Sequence, residues 1–183
     1  YTLYMISAEA EKNNLHETYV DKFFSTFKIS DAVTAKNGNW LNYKNDLAGF
    51  SLKIPMQPEE STKEIPNPTL PAHPYVMNLY TMLDKVNFVS YLFRYNDFPE
   101  GMYLSDKNTF FNGIKSQLEK NGKIVDGPVT IYKDGLEGRE IGIVLQGTYM
   151  KVQMFLRGNR SYLLMKQNQM GEDKMKDDEY FSS

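Results

Sequence analysis

Residues 75–95 read YVMNLYTMLDKVNFVSYLFRY: two apolar and aromatic runs, 75–83 and 87–95, on either side of Asp84 and Lys85. Aromatic and branched side chains suit a pleated, half-buried surface, and short runs bounded by turn residues predict a β-hairpin with both strands largely buried. Strands apolar on both faces need other elements to cover them.

Immediately upstream, residues 55–74 hold six prolines among charged residues. Proline lacks the amide donor that a ladder needs, so this stretch is expected to be an extended or turning surface loop that contributes no central strand. Before it, Phe50, Leu52 and Ile54 alternate with polar residues and follow Trp40 and Tyr43, which predicts a strand or a hairpin turning at 45–49. Residues 30–39 lack periodicity and end in Asn37, Gly38 and Asn39, the composition of a linker. Residues 1–6 suit a short strand, and Tyr19, Val20, Phe23, Phe24 and Phe27 recur at helical spacing behind it.

Downstream of the hairpin, Asp97, Phe98, Pro99, Glu100 and Gly101 make a turn. A helix over 104–121 follows, with Phe110, Phe111, Ile114 and Leu118 on one stripe, Ser105 or Asp106 as its cap and Gly122 at its close. Residues 123–133 resume strand character around a Gly127-Pro128 turn, and 139–145, 149–156 and 162–165 form a three-stranded meander. In 171–183, Tyr180 and Phe181 follow a mixed charge run, as at the start of another helix.

Tyr1, Thr2 and Leu3 align with Tyr162, Leu163 and Leu164, and residues 21–25 (DKFFS) align with 178–182 (DEYFS). The same order of strand, polar connection and aromatic helix thus occurs at both ends. Residues 1–29 are therefore expected to be the closing strand and helix of a preceding copy, 30–39 a linker, and 40–183 a second copy truncated in its closing helix. An orphan strand and amphipathic helix must be covered, either on this domain or on another chain, which predicts a neighbouring repeat domain or a swapped homodimer as partner.

Residues 50–55 (FSLKIP), 135–140 (GLEGRE) and 158–162 (GNRSY) occur in an order that resembles exported bacterial domains related to the PsbP-like group. The resemblance covers about residues 40–183. It implies an α+β fold, an antiparallel β-sheet flanked by helices in an α/β/α sandwich, and an accessory or interaction role. It carries over no catalytic residue.

The chemistry-bearing residues are sparse. Twenty-one basic and 23 acidic residues give a net charge of −2, so no positive field points to nucleic acid. No apolar run is long enough to span a bilayer, because even 86–95 is broken by Asn87, Ser90 and Arg94. The absence of cysteine excludes disulfides and thiolate chemistry and is compatible with an exported protein, any targeting signal lying upstream of Tyr1. His16 and His73 have no partners at metal-ligand spacing, and no phosphate-binding or nucleophile-elbow motif occurs. The acidic residues Asp173, Asp177, Asp178 and Glu179 do not follow the EF-hand spacing and suit a solvated helix start.

No cofactor or metal is expected, and the first expectation is a non-catalytic binding or scaffolding module for a protein partner. Its contact surface would be the proline-rich loop and nearby turns: Pro66, Pro68, Pro71, Tyr75, Asp97, Phe98 and Glu100. One alternative is a carrier of a small apolar ligand, bound between the helix at 110–118 and the aromatic strands at 75–95. A more remote one is a hydrolase using loop carboxylates such as Asp97, Glu100 or Glu137.

Overall fold

The structure, a computed structural model, describes residues 40–67, 71–85, 87–99, 106–168 and 179–182, all within the unit Val33–Ser183. The expected strand and helix of residues 1–29 and the linker 30–39 lie outside the described residues, and so does the first half of the expected repeat.

Among the described residues nine strands and two helices follow one another. Strands β1 (Leu41–Asn45) and β2 (Phe50–Ile54) form a separate hairpin. Then come β3 (Glu59–Ile65), β4 (Tyr75–Asp84), β5 (Val89–Asp97), helix α1 (Lys107–Asn121), β6 (Lys123–Lys133), β7 (Leu136–Leu145), β8 (Thr148–Arg157), β9 (Arg160–Asn168) and the single turn α2 (Glu179–Ser182). Seven strands form one antiparallel sheet in the order β3-β4-β5-β9-β8-β7-β6. The hairpin expected at 75–95 is β4–β5, with Tyr80 opposite Phe93 and Met82 opposite Tyr91. Its turn is closed by Asp84, whose carboxylate accepts from the Asn87 backbone N at 3.0 Å and side-chain Nδ2 at 2.7 Å. The meander holds as well, lengthened to four strands by β6.

The expected fold class does not hold. The described residues form a β-rich fold dominated by antiparallel sheet, in place of an α/β/α sandwich with helices on both faces. The reason lies in what covers each face. Tyr80, Met82, Tyr91, Phe93, Phe155, Tyr162 and Leu164 pack on one face beneath the β1–β2 hairpin, with Leu52, Ile54 and the α2 residue Tyr180 completing that core. A two-stranded ribbon therefore occupies the layer that helices were expected to fill. The opposite face carries Ile141, Ile143, Met150, Val152, Met154 and Leu163, covered by Phe111 of α1.

Two local expectations are also corrected. Within the proline-rich segment, residues 59–65 contain no proline, so every amide can pair, and they form the edge strand β3 against β4. Gly127-Pro128 is no turn. Strand β6 runs through it along the outer edge, where a missing donor is tolerated, and the register against β7 shifts between Ile124 and Val129.

Helix α1 begins where expected: the Asp106 carboxylate accepts from the backbone N of Asn108 at 2.9 Å and of Thr109 at 3.2 Å. Gly122 ends the helix for a reason of space. Its backbone is extended, and a Cβ there would lie 2.6 Å from the Val144 carbonyl oxygen, so only glycine lets the helix end pass against β7.

Candidate functional site

Alternation along the strands decides which side chains share a face. On β5, Val89, Tyr91, Phe93 and Tyr95 point toward the β1–β2 hairpin, so Arg94 and Asn96 point to the side of α1. Met77 of β4, opposite Asn96, and Leu163 of β9, opposite Arg94, share that side. Helix α1 lies against β6 and β7, and among the described residues no helix packs on β4 and β5 beyond it. The step between helix and sheet is a cleft of about 660 Å³. Its floor includes Tyr75, Met77, Arg94, Asn96, Ser161 and Leu163, and its wall is the α1 stripe of Phe110, Gly113, Ile114, Gln117 and Leu118.

Polar groups on this floor are few and incompletely used. Arg94 is partly buried, and burial pulls its guanidinium below the usual arginine range, with the Tyr75 phenol acting in the opposite sense. Its Nη1 donates to the Met77 sulfur at 3.5 Å, a weak acceptor, and among the described residues no carboxylate pairs with it. Asn96 is 5% exposed. Its Oδ1 accepts from the Ser161 hydroxyl at 2.8 Å, while its buried Nδ2 has no partner among the described residues. Asp106 also borders the cleft, but its two carboxylate oxygens cap the helix, and those hydrogen bonds hold its pKa below the ordinary aspartate value.

A second cavity, about 330 Å³, lies under the β1–β2 hairpin beside Phe50, Leu52, Phe93 and Phe155. Of its charged lining, Lys44 pairs with Asp46 at 2.6 Å and Lys133 donates to the Phe181 carbonyl at 3.1 Å, while Asp134 and Arg157 stand at its edge. The α1 cleft is therefore the better candidate.

The surface residues expected from the sequence divide among several places. Tyr75 and Phe98 meet with ring centroids 5.6 Å apart, and Phe98 reaches Phe110 at 6.1 Å, so these three form an aromatic rim to the cleft. Pro66 and Pro71 are exposed outside it. Pro68 and Glu100 lie outside the described residues.

Asp97 points to the opposite face of the sheet from Arg94, where both its oxygens accept from Arg160 at 2.6 Å, from Nε and Nη2. Arg160 also donates to the Ala48 carbonyl, tying the β1–β2 turn to the sheet, and stands 5.2 Å over the Tyr95 ring. The Arg160 hydrogen bonds hold the Asp97 carboxyl below the ordinary aspartate value against the opposing effect of burial.

A depressed pKa stabilises the fold above the unfolded value, near 3.9, and the benefit is lost as pH falls through the folded value. The side chains of Asp97 and Arg160 are 57% and 26% exposed, so solvent screening limits the effect to about 1 kcal/mol. Urea unfolding of wild type and Asp97→Asn across pH should show a gap of that size above about pH 5 that closes below about pH 4.

The remaining carboxylates considered for hydrolysis do not converge on this cleft. Glu137 pairs with Arg139 at 2.6 Å, whereas Glu140, an odd number of residues along the same strand and so on the other face, accepts from Lys151 at 3.0 Å and Gln153 at 2.6 Å. His73 is exposed. Among the described residues no group of three or more His, Cys, Asp or Glu stands close enough to hold a metal, and no helix is long and apolar enough to cross a membrane.

Arg94 and Asn96 were not singled out by sequence. Their signal was present in the alternation of 89–97, where polar residues fall at 90, 94 and 96 between aromatic ones. No protein-family model matches the chain, and no curated protein matches it.

Proposed function

We propose that this chain is a non-catalytic binding module that holds a small apolar ligand in the cleft between α1 and strands β4 and β5. The observation that carries this reading is the cleft itself. Its volume of about 660 Å³ falls within the range of ligand sites, and its lining combines Met77, Phe110, Ile114, Leu118 and Leu163 with a small number of polar groups. The aromatic rim of Tyr75 and Phe98 supports the same reading, since it draws two residues of the expected partner surface into this site. A protein partner on the proline-rich segment has less support, because Pro66 and Pro71 do not line the cleft.

Gly113 adds a second support. Glycine in mid-helix costs roughly 0.5–1 kcal/mol relative to alanine, yet nothing lies within 4 Å of where its Cβ would stand. Packing does not require glycine there, and its absent side chain leaves the cleft wall low.

Calorimetric titration with decanol tests the proposal. Wild type should bind saturably at one site, and Gly113→Trp should lose that binding while melting no lower than wild type, because the new Cβ meets nothing within 4 Å and tryptophan favours a helix more than glycine does. Absence of saturable binding to wild type, or full binding by Gly113→Trp, would overturn it.

A further inference from the structure

Resting on the assignment of the cleft as a ligand site, we infer that its ligand is an anionic amphiphile, with a carboxylate or a group of like shape held by Arg94 and Asn96 and an apolar tail along α1. Two unsatisfied donors stand on the cleft floor. Arg94 and Asn96 are two residues apart on β5, which places them on one face about 6.6 Å apart along the strand. Among the described residues, the planar fork of N–H groups on Arg94 has only the Met77 sulfur, at 3.5 Å, as side-chain acceptor, and the buried amide N–H of Asn96 has none.

A partly buried cation without a counter-ion and a buried donor without an acceptor are each unfavourable, and one anion relieves both. Two other guanidinium groups of the sheet are satisfied in this way: Arg139 meets Glu137 and Arg160 meets Asp97, each at 2.6 Å. At Arg94 the place of that carboxylate is vacant among the described residues, and it opens into the cleft. The nearby apolar side chains Ile114, Leu118 and Leu163 fit an alkyl or aryl tail. Among the described residues the carboxylate at the margin, Asp106, is committed to the helix cap.

Titration of one protein with decanoate, decanol and decyltrimethylammonium at neutral pH separates head-group preference from tail binding. Wild type should bind decanoate about tenfold to hundredfold more tightly than decanol, the range of a charge-assisted hydrogen-bond pair, and should bind the cation least. Arg94→Met, close in volume and relieved of a buried charge, should bring decanoate down to the decanol affinity and leave decanol unchanged. Asn96→Asp should do the same by placing a like charge beside the ligand, and Arg94→Lys should keep part of the preference.

Equal wild-type affinity for decanoate and decanol would overturn the head-group assignment and leave the cleft as a ligand site. So would a preference that survives Arg94→Met. No binding of any of the three would overturn both. The wild-type comparison decides the matter even where a variant fails to fold.

Discussion

Replacing Phe93 by alanine is expected to lower the free energy of unfolding by about 3–5 kcal/mol, the range for truncating a buried aromatic side chain. Phe93 is 3% exposed and sits where the two layers of the fold meet. Its ring lies 4.3 Å from that of Phe50 on β2, 5.7 Å from Tyr80 on β4 and 6.3 Å from Tyr162 on β9. Removing it takes a contact from the neighbouring strands β4 and β9 and from the hairpin that covers them. Urea unfolding followed by circular dichroism measures the change. A loss under about 1 kcal/mol would mean that the hairpin is not seated on this face.

Tyr180→Ala is expected to cost a similar amount, about 3–5 kcal/mol. Tyr180 is fully buried, its ring is 5.2 Å from Tyr91, and its hydroxyl donates to the Leu92 carbonyl oxygen at 2.6 Å. It anchors the single turn α2 to the face shared with the β1–β2 hairpin. Tyr180→Phe keeps the ring and removes the hydrogen bond, so it should cost about 1 kcal/mol. Equal effects of the two substitutions would show that the ring contributes little to the core.

Much of the strand plan was legible because period-two alternation and turn residues coincide. At 75–95 the aromatic residues sit opposite one another across β4 and β5, and Asp84 supplies the turn carboxylate. Helix α1 was legible from its stripe and from Asp106. The fold class was not, because residues 40–54 show only that a hairpin exists. That it would lie over the sheet in the place of a helix depends on Leu52 and Ile54 meeting Phe93 and Leu164, a long-range fact that local pattern does not carry. The edge strand β3 was hidden by its prolines, which flank the strand and leave its own residues free to pair.

The cleft was partly legible. A space between residues 110–118 and the strands of 75–95 was among the alternatives, and Tyr75 and Phe98 were named for a different reason. Arg94 reads as an interruption of the apolar run 86–95 and Asn96 as the residue that ends it, when in a strand polar residues at every second position mark the other face. Asp97, singled out as a surface carboxylate, lies on the far face as the partner of Arg160.

The most direct test of the central claim is methyl NMR of the chain titrated with decanoate. The account predicts saturable shifts at Met77, Ile114, Leu118 and Leu163, which line the α1 cleft, with Leu52, Ile54 and Met82 on the opposite face unmoved. Shifts centred on Leu52 and Leu164, beneath the β1–β2 hairpin, or no saturable shift at all, would contradict it.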